Sequence, residues 1–100
     1  MRESEIERYL VNQFQTAGAQ VRKLQYVGRN GAPDRMIMFR RNVIFIELKA
    51  PGKKLRPDQQ REFMRMKSQG IRVYKVDSKE AVDNLLKHYP YDYDVDDVPF

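Results

Sequence analysis

Two nearly continuous apolar runs, DRMIMFR at 34–40 and VIFIELK at 43–49, are separated only by Arg41 and Asn42. So short a break between two such runs reads as a tight β-hairpin. Their lack of alternation reads as central strands covered on both faces. A hairpin of that kind needs a layer on each side, and the flanking sequence supplies both. Ile6, Tyr9, Leu10, Phe14 and Ala17 recur at helical spacing and stop at Gly18. QVRKLQYV, 20–27, alternates as a strand, and the glycine-rich GRNGAP, 28–33, is a loop closed by proline. Pro57 is a good first helical residue for a helix running to about Gln69, before Gly70. IRVYKV, 71–76, is a fourth strand, and Asp77 or Ser78 caps a last helix carrying Ala81, Val82, Leu85 and Leu86. The order is α-β-β-β-α-β-α, an α/β domain with a mixed sheet, and no internal repeat interrupts it.

One hundred residues make one domain, taken here as residues 1–89 followed by an acidic, aromatic tail at 90–100. There is no cysteine, and His88 is the only histidine. Disulfides, thiolate zinc sites, Ser-His-Asp catalysis and His-rich metal triads are thereby excluded. Any metal must be held by oxygen, which favours Mg²⁺ or Mn²⁺. No apolar stretch is long enough to span a bilayer, and no leader pattern opens the chain, so the expected location is cytoplasmic. The formal charge of +5 is unevenly spread: every Lys and Arg lies at or before Lys87, while the last nine residues hold four Asp and no base. A basic body of this kind points to a polyanionic partner such as nucleic acid.

Glu47 and Lys49, two apart in a strand, share one face with Val43 and Phe45. A carboxylate and an ammonium left unpaired on a buried strand cost several kcal/mol, so they need each other, a further partner or a cation. An isolated E-x-K is ordinarily an ion pair at a strand end. Asp34 alters that reading, because a hairpin turning at Arg41–Asn42 sets it across from Lys49 and one pleat from Glu47. Two carboxylates and a lysine then converge at one end of a two-strand unit.

Other polar residues sit where apolar ones are expected. Glu3 lies three before Ile6 and seven before Leu10, and Glu7 has a similar claim on that helix face. Gln60 lies three before Phe63 and four before Met64. Acids near a helix N-terminus are also favoured by its dipole, so position alone does not assign these residues a role. His88 reads as a capping or surface residue, and the methionines at 36, 38, 64 and 66 as core or near-core filler. The tail reads as a disordered end, a segment packing on a partner subunit, or an acidic shield over the basic surface.

These residues resemble a known family. Pro33-Asp34, then Glu47-Leu48-Lys49, matches the P-D…(D/E)-x-K nuclease superfamily. The wider pattern is similar to the virus-type replication-repair nuclease (VRR-NUC) family: E-S-E-I-E, G-x-P-D-R, I-E-L-K-A-P-G-K-K-L-R-P-D-Q-Q, then G-I-R-V-Y, over roughly residues 3–77. The resemblance implies a restriction-endonuclease-like α-β-β-β-α-β core and hydrolysis of phosphodiester bonds in DNA. It implies that Asp34, Glu47 and the Leu48 carbonyl bind one or two Mg²⁺ or Mn²⁺ ions, with Glu3 completing the shell. Lys49 is then expected to orient or activate the attacking water, and Gln60 to position phosphate or lysine. Small viral members form homodimers and cleave branched DNA, including four-way junctions.

Arg29, Arg35, Lys53, Lys54 and Arg56 flank the expected site in sequence as candidate phosphate contacts. Each such duplex contact steepens the salt dependence of binding by about 0.9 log units per log salt. The rival readings are a flap- or end-directed nuclease of the same fold and a non-catalytic DNA-binding module.

Overall fold

The computed structural model describes residues 1–89, so the acidic segment 90–100 and every reading of it lie outside the described residues. Seven elements follow in the expected order: α1 (Glu3–Thr16), β1 (Gln20–Lys23), β2 (Arg35–Phe39), β3 (Asn42–Leu48), α2 (Pro57–Ser68), β4 (Val73–Val76) and α3 (Lys79–Lys87). The sheet order is β1-β2-β3-β4, antiparallel up to β3 and parallel between β3 and β4. A parallel pair needs a crossover, and α2 provides it.

The hairpin differs from expectation by one residue. Phe39 pairs with Asn42, so the connection is Arg40–Arg41 rather than Arg41–Asn42. Both arginines have positive φ, 49° and 67°. That is the two-residue turn whose twist matches the flanking strands. The register that follows, with Arg35 opposite Ile46, puts Asp34 opposite Glu47 instead of Lys49. A one-residue shift of the turn moves partners by two, so no side chain changes face.

α1 and α3 cover one face of the sheet. Ile6, Leu10 and Phe14, spaced four apart, are fully buried against Ile37, Ile44, Ile46 and Leu48, with Tyr74, Val76, Val82 and Leu85. α2 covers the other face through Phe63 and Met66, joined by Leu55 of the preceding loop, on Val73 and Phe45. β3 is thus enclosed on both sides from Ile44 onward. β2 and the start of β3 are not: Met36 and Met38 are half-buried and Val43 is exposed, because the layer that α2 lays down reaches only Phe45 and Val73. Met64, expected near the core, is 62 % exposed, while Met66 is buried.

β1 stops at Lys23, opposite Arg35, so the expected strand over 20–27 is half strand and half loop. The remainder crosses toward α2. Tyr26 Oη donates to Glu62 Oε2 at 2.7 Å. Gly31 lies so close to α2 that a Cβ there would stand 2.8 Å from the Asp58 carbonyl oxygen. Ser78 caps α3 by accepting from the Ala81 N–H at 3.0 Å, and exposed His88 ends it. Among the described residues no helix is long and apolar enough to cross a membrane.

Candidate active site

Residues on alternate sides of β2 and β3 separate two kinds of surface. Ile37, Ile44, Ile46 and Leu48 face α1 and α3, whereas Asp34, Glu47 and Lys49 take the α2 side. They sit where β2 begins and β3 ends. There the ladder stops and backbone groups need other partners. Asp34 meets part of that need, its Oδ2 accepting the Leu48 N–H at 2.8 Å. Lys49 is tied on the opposite side, its N–H donating to the Val76 carbonyl at 3.0 Å.

Glu47 is the centre of the arrangement and is only 4 % exposed. Its Oε2 accepts from Gln59 Nε2 at 2.9 Å and lies 3.6 Å from Lys49 Nζ. Its Oε1 is buried and has no hydrogen-bond partner among the described residues. Burial first, and then the neighbouring Asp34 carboxylate, pushes the Glu47 carboxyl up to about 7, against the opposing pull of Lys49. One ammonium for two adjacent carboxylates, with one oxygen left bare, is an electrostatically unfinished site.

Gln59 is the residue that sequence reasoning missed. Gln60, expected on the buried face, is exposed, and its Nε2 donates to the Leu55 carbonyl at 3.0 Å. The buried face of α2 is Gln59, Glu62, Phe63 and Met66. Counting back from Met64, which points to solvent, put the helix out of phase by one residue. The spacing of Gln59 to Phe63 and Met66 carries the correct phase. Its amide orientation is fixed at both ends. Oε1 accepts the Arg56 N–H at 2.9 Å, in the helix-capping position, so the amide nitrogen must face Glu47.

Asp34, Glu47, Leu48 and Lys49 are brought together as expected. Glu3 is not: it is exposed in the first turn of α1, a helix that packs on the opposite face of the sheet. Among the described residues no three His, Cys, Asp or Glu side chains gather as a metal site. Glu7 comes nearer to the strand end but is engaged with Arg35, whose Nε donates to its Oε2 at 2.9 Å. Arg35 therefore faces α1, opposite to its neighbour Asp34, and its charge is already matched. Arg29, Lys53 and Lys54 are exposed on the two loops leading into β2 and out of β3. Arg56, also exposed, contacts Asp58 at 3.3 Å.

The donor set fits a hard divalent cation. The bare Glu47 Oε1 and the Asp34 carboxylate are both anionic oxygens, the type Mg²⁺ and Mn²⁺ take. In an extended strand a residue's N–H and C=O leave the same side. The Leu48 carbonyl is thus directed, like its N–H, toward the Asp34 end of β2.

Comparison with known proteins places the chain in a family. The family model described as the VRR-NUC domain matches residues 3–80. The chain is 38 % identical over 81 residues to "Putative nuclease p44" of Acyrthosiphon pisum secondary endosymbiont phage 1, covering 80 % of this chain and 87 % of that protein. A solved structure described as a VRR_NUC domain superimposes with a TM-score of 0.81 at 38 % identity, covering 87 % of this chain and 96 % of its own.

Proposed function

The chain belongs to the VRR-NUC domain family and is a nuclease, and from that premise we propose that it is a divalent-metal-dependent DNA endonuclease selective for branched substrates such as four-way junctions. The observation that carries the metal requirement is the buried, unpartnered Oε1 of Glu47 beside the Asp34 carboxylate. Asp34, Glu47 and the Leu48 carbonyl hold Mg²⁺ or Mn²⁺. Such a cation, when bound, supplies Lewis-acid stabilisation of the charge that develops on the scissile phosphate.

The chain's own groups divide the remaining work. Gln59 holds Glu47 by Oε2, so that Oε1 stays turned away from Lys49 and available to a ligand. Lys49, at 3.6 Å from Glu47, is held loosely enough to donate to the attacking water or to a phosphate oxygen. Exposed Arg29, Lys53, Lys54 and Arg56 neutralise phosphates on either side of the cut. Arg35 has the narrower task of holding β2 to α1 through Glu7, and Glu3 stands outside the set.

Paired cuts in a four-way junction need two sites related by a dyad, and a homodimer acting on intracellular DNA supplies them. The test is incubation with Mg²⁺ or Mn²⁺ and a panel of linear duplex, single-stranded, flap and four-way-junction DNA, beside a mass measurement in solution. Preferential, metal-dependent junction cleavage by a dimer is the expected result. Preference for flaps or ends removes the junction assignment, and binding without cleavage under either metal removes the catalytic one.

A further inference from the structure

The segment between β1 and β2 is unusual in being pinned at both ends and bare in the middle. Leu24 N–H donates to the Asp34 carbonyl at 2.9 Å, and Tyr26 Oη is hydrogen-bonded to Glu62 of α2. At the far end Gly31, with φ 94°, rests against the Asp58 carbonyl, and Pro33 is buried. Between these anchors Val27 is 97 % exposed, the largest exposure among the big apolar side chains described. Gly28 adopts φ 82°, a left-handed conformation that reverses the chain just after it and leaves the valine at the tip. Arg29 and Asn30 follow, both exposed.

Single exposed apolar residues are common and need no explanation by themselves. This one differs in its mounting. The loop it tops is ordered by contacts with α2, the helix whose Gln59 holds Glu47. The entropic cost of presenting Val27 is therefore met in the free protein, not on binding. Its surroundings also favour a polyanion. From Gly18 to Pro33 there is no acidic residue, while Arg22, Lys23 and Arg29 are present. The two acids of α2 nearest the loop are already engaged, Asp58 by Arg56 and Glu62 by Tyr26 and Arg65.

We infer that the loop from Tyr26 to Asn30 is a preorganised wedge for DNA, with Val27 set against the exposed base face of an opened step and Arg29 against the adjoining phosphate; this rests on the reading of the chain as a DNA nuclease. Apolar side chains inserted at a base step unstack it, and the cost is least where stacking is already interrupted. A branch point is such a place, whereas continuous duplex resists the same side chain. The loop thereby supplies a physical basis for preferring branched over linear DNA.

The experiment titrates the full-length protein, in EDTA, into a four-way junction carrying 2-aminopurine at the branch. The wild type is expected to raise the fluorescence at saturation, as a base leaves its stack. Val27→Ser, at an exposed position that does not threaten folding, leaves the signal near that of free DNA, and Val27→Leu restores it. In Mn²⁺, Val27→Ser cuts the junction about tenfold more slowly than the wild type, in line with the loss of one buried aliphatic contact. Arg29→Ala lowers the salt slope of junction binding by about 0.9. Equal fluorescence and equal junction cleavage for wild type and Val27→Ser overturn this inference alone. No cleavage of any DNA by the wild type with either metal overturns the nuclease reading, and the wedge falls with it.

Discussion

The two ends of the β2–β3 hairpin each carry a local cost, and they meet it differently. At the closed end Arg40 and Arg41 occupy left-handed backbone, which for a non-glycine residue costs on the order of 1 kcal/mol each. Contacts within the chain offset it. The Arg40 guanidinium lies 4.6 Å from the centre of the Phe39 ring and donates to the Tyr89 carbonyl at 3.0 Å. Tyr89 Oη returns a bond to the Asn42 carbonyl at 2.9 Å, and its ring packs on Phe14 and Phe39. At the open end the cost is electrostatic, and the chain leaves it standing: Glu47 keeps a buried oxygen without a partner beside a second carboxylate. Strain that is offset locally belongs to the architecture. Strain that is not offset marks a candidate place for a ligand.

Removing the open end's carboxylates is the most severe way to break this contrast. Asp34→Ala is expected to lower metal-dependent cleavage by about a thousandfold or more, comparable to losing a principal electrostatic stabiliser. Calorimetry should show weakened Mn²⁺ binding in parallel. Retained cleavage and unchanged Mn²⁺ binding would return Asp34 to the role of a strand-end hydrogen-bond acceptor.

The next effect is on stability and runs opposite to that on activity. The Glu47 carboxyl in the folded, metal-free protein is raised to about 7 from an ordinary value of 4.5. The folded state therefore binds more protons than the unfolded one across that interval. Its stability is fully present below the lower value and is lost as pH rises through the upper one, by roughly 3 kcal/mol. Urea unfolding between pH 5 and pH 8 measures this. Glu47→Gln should flatten the profile and make the inactive protein the more stable one at pH 8, as should saturating Mn²⁺ for the wild type. A Glu47→Gln protein less stable than wild type at pH 8 contradicts the account.

Gln59→Ala comes third, lowering the cleavage rate by roughly 10–100-fold, as loss of an orienting partner to a ligand does. Gln60→Ala should leave it within about twofold, since the Gln60 side chain is exposed and donates to the Leu55 carbonyl, away from Glu47. Reversal of that order in a kinetic comparison would return the positioning role to Gln60. The smallest effect is at the closed end, where Arg41→Gly relieves a left-handed residue and should stabilise the fold by about 0.5–1 kcal/mol, without altering cleavage. Thermal unfolding reads it directly.

These contrasts also explain how far the sequence could be read. Asp34, Glu47 and Lys49 were legible because strand faces depend on parity, which a one-residue error in the turn does not disturb. The same parity assigns Arg35 to the face away from Asp34, where it meets Glu7. Helix phase is less forgiving. One exposed methionine, Met64, was enough to move the expected glutamine from 59 to 60. Glu3 lies apart from the cluster for another reason: the pattern of α1 fixes which side of the helix is buried, but not which face of the sheet it covers. The half-bare face of β2 was hidden likewise, because its Met36 and Met38 read as core until the reach of α2 is known.

Gln59 carries one last consequence. Its single amide closes the first turn of α2 at the Arg56 N–H and at the same time grips Glu47. Ordering of that helix start and assembly of the site are consequently a single event. The exchange of one backbone proton with solvent, at Arg56, becomes a local clock for the site: slow while Glu47 is held, and faster whenever it is released.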